Sequence, residues 1–184
     1  ADCKNLKVIG RAGVGVDNVD LDQATKNRIL VMNTPLGNLE ATAELSVGLM
    51  FSIMRNIHLA NDSTHQGKWE KPKFLGTELK GKVLGIVGYG NIGQRVAEIC
   101  STIGMKIITN SKSASDDDLS KFDVKKVSTE DLIKEADIIS LHTKLNDETK
   151  YMINKETIST MKPTSVIINC ARAVSYTHLT LPTI

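Results

Sequence analysis

Short apolar runs alternate along this chain with segments in which apolar residues recur every three or four positions. The apolar runs predict β-strands at residues 6–9, 29–32, 83–87, 106–109, 138–141 and 166–168. The helical spacing predicts α-helices at residues 21–27, 41–65 and 94–103, and further short helices after Ser128 and Asn154. Strands that alternate with helices pair in parallel through right-handed crossovers, so the pattern predicts an α/β fold.

Glycine, proline and polar residues mark the predicted connections. Pro35 and Gly37 indicate a loop, and Gly67 ends the long helix before a linker at residues 68–74, where a domain boundary is expected. The polar run at residues 111–118 predicts a solvated loop. Its three consecutive aspartates are better explained by solubility than by metal binding.

Composition narrows the range of functions. The chain has 184 residues, of which 41% are hydrophobic, and a formal net charge of +2. This weak charge gives no reason to expect a nucleic acid or an anionic membrane as partner, and no apolar run approaches the length that spans a bilayer. Cys3, Cys100 and Cys170 lack metal-ligand spacing and are expected to be buried reduced thiols, as in a cytoplasmic protein.

The segment Gly88-Tyr-Gly-Asn-Ile-Gly93 has the spacing of a dinucleotide fingerprint, and it follows a predicted strand and opens a predicted helix. Gly88 allows a tight turn, Gly90 lets the backbone approach a pyrophosphate, and Gly93 permits close packing of the helix on the strand. The amides around Asn91 and Ile92 then face an anion at the positive end of the helix. This context favours nucleotide binding over a structural turn that binds nothing.

The acidic residue that accepts from the ribose hydroxyls in NAD-binding proteins is missing from the end of the second strand. The chain has Asn110-Ser-Lys112 there. The hydroxyl of Ser111 and the ammonium of Lys112 suit a 2′-phosphate, so of the two candidate cofactors, NAD and NADP, the pattern favours NADP slightly. Two alternatives stay open: NAD binds without this contact, or Asp116 reaches back from the loop.

Five segments outside the fingerprint occur in a characteristic order. They are Gly10-Arg-Ala-Gly-Val-Gly-Val-Asp-Asn-Val-Asp20, Val31-Met-Asn-Thr-Pro35, Gly67-Lys-Trp-Glu70, Phe74-Leu-Gly-Thr-Glu-Leu79 and Ile168-Asn-Cys-Ala-Arg172. Together they resemble the D-isomer-specific 2-hydroxyacid dehydrogenases, and within that family the phosphoglycerate dehydrogenase branch. The similarity runs from about Lys4 to Arg172 without a visible gap, and several motifs in one order are more specific than any single motif.

The resemblance implies a Rossmann-type doubly wound parallel sheet, here partial, together with part of a flavodoxin-like substrate domain. Residues 1–40 would belong to the substrate-binding domain, residues 41–75 would form a connecting helix and linker, and residues 76–173 would belong to the NAD(P)-binding domain. The helix that begins at Ala41 would contribute to the interface of a homodimer or homotetramer.

The resemblance also implies roles for individual residues. The loop formed by Arg11, Gly13 and Val14 would hold the substrate carboxylate, mainly through backbone amides, with Asn33 as a further contact. Val14 would also lie near the nicotinamide, without the hydroxyl that some relatives have there. Further cofactor contacts are expected at the ends of two later strands, from His142, Thr143, Cys170 and Ala171.

Arg172 is the catalytic residue that the resemblance implies, and it would also border the cofactor. Its guanidinium offers a rigid fork of donors, suited to binding a carboxylate and polarising the adjacent carbonyl. In the family the proton acceptor is a histidine paired with a glutamate, and both lie downstream of this arginine. Neither residue is found in this chain. His178 is not accepted as the histidine, because it lies too early and in the wrong context. Residues 174–184 are interpreted as a non-native tail, since they correspond to one reading frame of a transposase adaptor; the codons of the gene test this.

These observations predict an oxidoreductase that transfers a hydride between NAD(P) and a small 2-hydroxy or 2-keto acid. The leading reaction converts 3-phospho-D-glycerate to 3-phosphohydroxypyruvate, in serine biosynthesis. A glyoxylate or hydroxypyruvate reductase is the enzymatic alternative, and a non-catalytic, NAD(H)-sensing relative of corepressor type is the alternative from another class. The chain as given, without the histidine and glutamate, is expected to show little or no turnover.

Overall fold

The computed structural model describes residues 3, 5–16, 18–144, 146 and 148–171. By its internal contacts the chain divides into two compact units, Ala1–Ala41 and Thr42–Ile184. Arg172, His178 and the tail interpreted as non-native lie outside the described residues.

In the first unit two short strands, β1 (Val8–Arg11) and β2 (Leu30–Asn33), pair in parallel. Helix α1 (Leu21–Lys26) connects them, and the carboxylate of Asp20 caps this helix by accepting from the amide of Gln23 at 2.9 Å. All three predicted elements are confirmed, with the strands one or two residues later than the apolar runs placed them.

The single helix predicted at residues 41–65 is wrong, because two helices occupy this region: α2 (Leu39–Met54) and α3 (Ile57–His65). Between them Asn56 has φ of 53°, in the left-handed region, which cannot continue a right-handed helix. An asparagine tolerates this conformation better than most residues. Because its side chain is polar, it leaves the apolar repeat undisturbed, and the pattern therefore gave no sign of the break.

The apolar residues of α2 fall on two sides of the helix. The buried side contains Ala43, Val47 and Met50. The residues whose spacing predicted the helix are on the other side and stay exposed: Leu45 by 57%, Leu49 by 37% and Ile53 by 37%. We call these three residues the α2 stripe. It leaves an apolar surface on this unit that the described residues do not cover.

Five parallel strands form the sheet of the second unit, in the order β5-β4-β3-β6-β7. Their bounds are β3 (Val83–Val87), β4 (Lys106–Thr109), β5 (Lys125–Lys126), β6 (Ile138–Leu141) and β7 (Val166–Asn169). The apolar runs predicted four of these strands to within one residue, but β5 consists of two lysines and gave no hydrophobic signal. The chain moves outward from β3 to β5 and then returns to the other side of β3, so the strand order reverses between β3 and β6.

Helices cover both faces of this sheet: α4 (Asn91–Thr102), α5 (Asp116–Ser120), α6 (Thr129–Glu135) and α7 (Lys155–Thr160). Successive strand residues point to opposite faces. Ile86 of β3 therefore lies in one core cluster with Val96 of α4, whereas its neighbour Val87 lies in a second cluster with Leu132 of α6. The result is the predicted α/β layering of a doubly wound sheet.

Side-chain caps start three of these helices. Ser128 accepts from the amide of Asp131 at the start of α6, as predicted, and Asn154 caps α7. Ser115 caps α5, so the loop predicted over residues 111–118 is wrong at its end. The three aspartates of that run occupy the first turn of α5, where carboxylates interact favourably with the positive end of the helix dipole.

The three cysteines have different environments. Cys100 is fully buried in α4, and this burial raises the pKa of its thiol to about 12. Cys170 is partly buried and Cys3 is exposed, so the expectation of a buried thiol is wrong for Cys3. Within the described ranges, no helix combines the length and the apolar character needed to cross a membrane.

We predict that Gly85→Ala lowers the free energy of unfolding by about 1–3 kcal/mol through overpacking. A Cβ at Gly85 would lie 2.7 Å from Cδ2 of Leu132 in α6 and 3.0 Å from Cβ of its C-cap Ala136, and both residues are fully buried. Gly48→Ala is the matched control, because a Cβ there meets nothing within 4 Å; it should raise stability by about 0.5–1 kcal/mol. Urea unfolding followed by circular dichroism measures both, and a Gly85→Ala chain as stable as the native one would contradict the packing.

Candidate functional site

The ends of the central strands meet at one edge of the sheet. Val87 of β3 pairs with Leu141 of β6, which in turn pairs with Asn169 of β7. The residues that follow these strand ends, Gly88, His142 and Cys170, therefore lie side by side at the carboxyl edge. Ligands of open parallel sheets bind at this edge, next to the point where the strand order reverses.

Gly88 and Gly93 let the turn between β3 and α4 pack closely. Gly88 has φ of 89°, and a Cβ on it would lie only 2.7 Å from the carbonyl oxygen of His142. The amide of His142 donates to the carbonyl of Val87 at 2.8 Å, which fixes the neighbouring strand end against the turn. A Cβ on Gly93 would overlap the carbonyl oxygen of Gly88. Both positions thus require glycine for packing, as the fingerprint predicted.

Gly90 has a different environment, because a Cβ there would meet nothing within 4 Å. It is the N-cap of α4, and no side chain caps this helix, in contrast to α5, α6 and α7. The first-turn amides of α4, at Asn91, Ile92 and Gly93, are therefore available to a ligand beside an open space. A helix start of this kind favours an anion, so the turn fits a dinucleotide pyrophosphate.

The loop after β4 is held by its own contacts. The hydroxyl of Thr109, which is fully buried, donates to the carbonyl of Ile86 at 2.8 Å and accepts from the amide of Ser111 at 3.3 Å. The amide group of Asn110 donates to Thr129 Oγ1 at 2.9 Å. These contacts tie the end of β4 to the fingerprint strand and to the start of α6.

Ser111 and Lys112, the two residues predicted to bind a 2′-phosphate, both have polar partners. The hydroxyl of Ser111 lies 3.3 Å from that of Ser113, and the ammonium of Lys112 lies 3.2 Å from a carboxylate oxygen of Glu148. The sequence left open that Asp116 reaches the ribose hydroxyls from a loop. In the structure Asp116 lies in the first turn of α5.

His142, which follows β6 at the carboxyl edge, is held in the neutral form. Its Nε2 atom lies 2.8 Å from the hydroxyl of Ser140, a fully buried residue of β6. Burial lowers the pKa of His142 to about 4, so its imidazole carries no charge near neutral pH. The next hydroxyl, that of Thr143, donates to the carbonyl of Lys144, and beyond β7 the amide of Ala171 donates to Asn169 Oδ1 at 3.0 Å.

In the first unit the predicted substrate residues lie together at the carboxyl ends of β1 and β2. The guanidinium Nε of Arg11 donates to the carbonyl of Gly15, and the amide of Gly13 donates to the carbonyl of Arg11 at 3.0 Å. The side-chain amide of Asn33 donates to the carbonyl of Val14 at 2.8 Å. Asn33 therefore fixes the shape of the loop whose amides were predicted to bind a carboxylate.

Three residues at the carboxyl edge were not singled out from the sequence. Thr109 and Ser140 are polar residues inside apolar strands, and this break in the pattern is a signal that identifies them as hydrogen-bonding positions. Glu148 lies 36 residues from Lys112. No local pattern relates these two residues, because only the strand order brings their loops together.

A cleft of about 290 Å³ lies at the opposite edge of the sheet. Lys82, Asp137 and Val166, at or next to the starts of β3, β6 and β7, contribute to its lining, together with residues from the break between α2 and α3. The carboxylate of Asp137 accepts there from the ammonium of Lys162 at 2.8 Å and from the amide of Val83 at 2.8 Å. This cleft is at the wrong edge for a nucleotide, since ligands of such sheets bind beyond the carboxyl ends of the strands.

Comparison with known proteins agrees with this geometry. The family model described as "D-isomer specific 2-hydroxyacid dehydrogenase, NAD binding domain" matches residues 47–181. The chain is 46% identical over 169 residues to a hydroxypyruvate reductase of Thermotoga maritima. The match covers 92% of this chain and 54% of that protein. It is also 44% identical over 167 residues to a D-3-phosphoglycerate dehydrogenase of Synechocystis sp. That match covers 91% of this chain and 30% of the Synechocystis protein.

Solved structures give the same result. D-lactate dehydrogenase from Aquifex aeolicus, complexed with NAD and lactic acid, is 34% identical with a TM-score of 0.85, and the match covers 93% of this chain and 51% of that one. The chain thus spans about half the length of two of these three proteins and less than a third of the other.

We predict that Gly90→Val keeps the fold of the intact protein but weakens NAD⁺ binding by roughly ten-fold or more, equal to about 1.4 kcal/mol or more. The backbone of Gly90, at φ −80° and ψ −167°, is accessible to any residue, so the new side chain fills only the space assigned to the pyrophosphate. Calorimetric titration with NAD⁺ measures the effect, and Gly48→Val serves as control. Unchanged affinity in Gly90→Val would mean that the dinucleotide does not cross this turn.

Proposed function

The chain belongs to the family of D-isomer-specific 2-hydroxyacid dehydrogenases, and we propose that the intact protein transfers a hydride between NAD(H) and a small 2-hydroxy acid. The observation that carries this proposal is the uncapped start of α4 at Gly90, located where the strand order reverses. The match to the family's NAD-binding model supports the choice of a nicotinamide dinucleotide as the anion.

Different residues of this chain would bind different parts of the coenzyme. NAD(H), when bound, supplies the hydride chemistry at its nicotinamide ring. The first-turn amides of α4 would hold its pyrophosphate, while Gly88 and the neutral His142 would border the bound dinucleotide without adding charge. Cys170 and Ala171 follow the next strand and would border the nicotinamide.

Substrate binding and catalysis remain predictions from the resemblance. The loop of Arg11, Gly13 and Val14, fixed by Asn33, would bind the substrate carboxylate through its amides. Arg172 would present its guanidinium fork to the carboxylate and the adjacent carbonyl of the acid. A histidine paired with a glutamate, which the resemblance places after Arg172, would accept the proton of the hydroxyl.

We propose 3-phospho-D-glycerate and 3-phosphohydroxypyruvate as the substrate pair, which would place the protein at the entry to serine biosynthesis. The motifs at residues 67–70 and 74–79 support this choice. The 44% identity to the Synechocystis enzyme, whose name is D-3-phosphoglycerate dehydrogenase, supports it too. The second candidate, reduction of hydroxypyruvate, is favoured by the 46% identity to the Thermotoga protein.

We predict that the intact protein with NADH reduces 3-phosphohydroxypyruvate with a higher kcat/KM than hydroxypyruvate or glyoxylate. The difference should be on the order of ten-fold or more, because a site built for a phosphate leaves charged groups unpaired when the phosphate is missing. Initial rates of NADH oxidation on the three acids measure this preference. A higher kcat/KM for hydroxypyruvate would select the second candidate, and coenzyme binding without turnover of any of the three would contradict both.

We further propose that the intact protein is a homo-oligomer in which a second copy covers the α2 stripe. Leu45, Leu49 and Ile53 form a continuous, exposed apolar row at helical spacing. Contiguous exposed apolar surface marks an interaction site. Light scattering should therefore give a mass of at least two chains for the native protein and a lower mass for Leu49→Glu. A native protein of one-chain mass would contradict the proposal.

A further inference from the structure

An ion pair joins two loops at the carboxyl edge of the sheet. Lys112 follows β4 and Glu148 follows β6, and the Nζ atom of Lys112 lies 3.2 and 3.3 Å from the two carboxylate oxygens of Glu148. In the sheet, β3 lies between β4 and β6. The pair therefore connects the loops on the two sides of the strand that carries the fingerprint.

This ion pair lies where a dinucleotide fold recognises the adenosine ribose. In such folds the residue at the end of the second strand contacts the 2′-hydroxyl, or a cationic residue nearby accepts a 2′-phosphate. Here the second strand is β4, and the residues after it are Asn110, Ser111 and Lys112. No carboxylate is present in this short segment. Among the residues that the structure describes, Glu148 reaches it from another loop.

We propose that Glu148 determines the choice of coenzyme, by pairing with Lys112 and so disfavouring a 2′-phosphate, and that the protein therefore selects NAD(H) over NADP(H). This inference rests on the proposed function, because it assumes that the crevice binds a nicotinamide dinucleotide. It also replaces the slight preference for NADP that Ser111 and Lys112 indicated from the sequence, where the partner of Lys112 was not visible.

The charges around the loop support this role. The ammonium of Lys126, in β5, donates to the backbone carbonyl of Lys112 at 3.2 Å, so a second cation lies against the loop that carries Ser111 and Lys112. Without Glu148 these groups would form a cationic site that suits a phosphate. With Glu148 present, the ammonium of Lys112 is already paired, and a 2′-phosphate would also approach a carboxylate of like charge.

The expected size of the effect follows from the exposure of the pair. The side chains of Lys112 and Glu148 are 85% and 75% exposed, and exposed ion pairs contribute little because water screens them. We therefore expect a shift of a few-fold in the ratio of the two affinities, and not an all-or-none change.

The test uses the intact protein and its variant Glu148→Gln, with NADH and NADPH as probes in fluorescence titrations. We expect the affinity for NADPH relative to NADH to rise about three- to five-fold in Glu148→Gln. Glu135→Gln is the charge-matched control, because Glu135 is exposed at the C-terminal end of α6, next to the start of β6 and thus at the opposite edge of the sheet. It should leave the ratio unchanged.

A double variant separates the role of Lys112 from a general effect of charge. In a Lys112→Gln background, Glu148→Gln should change the ratio much less than in the native background. An unchanged ratio in the single variant, or an equal rise in both backgrounds, would overturn the inference. Failure of the native protein to bind either coenzyme would instead contradict the proposed function.

Discussion

The close packing of the turn between β3 and α4 is the constraint on which the site depends. At Gly88 and Gly93 a Cβ would collide with the backbone of the strand end of β6 or of the turn itself. Because both side chains are absent, the turn closes tightly, and α4 begins at Asn91, four residues after the end of β3. At Gly90, the N-cap of α4, no side chain caps the helix, and among the described residues nothing lies within 4 Å of a Cβ built there.

The other parts of the site are positioned relative to this turn by strand pairing in the sheet. Pairing of β3 with β4 and β6 places the loops that follow these strands on either side of the fingerprint. Buried hydroxyls then fix the strand ends, Thr109 on one side and Ser140 on the other. The site therefore depends on parallel strand pairing. Residues from distant segments become neighbours in it because their strands end at the same edge of the sheet.

Hydrophobic periodicity predicted the central strands well, because β3, β4 and β6 are buried and their apolar runs are continuous. It failed where burial does not decide the structure. Strand β5 is an exposed pair of lysines, which among the described strands pairs with β4 alone. The left-handed Asn56 interrupts a helix without changing its apolar repeat. The fingerprint glycines were predictable because each has a local steric role. The partner of Lys112 was not, because the contact depends on strand order and not on neighbouring residues.

The most direct test of the central claim is amide hydrogen exchange of the intact protein with and without NAD⁺. The open start of α4 predicts that NAD⁺ slows exchange of the amides at residues 91–93. The first-turn amides of α7, where the side chain of Asn154 already supplies the cap, serve as the internal reference and should exchange equally in both states. Unchanged exchange at residues 91–93 in protein saturated with NAD⁺ would contradict the account.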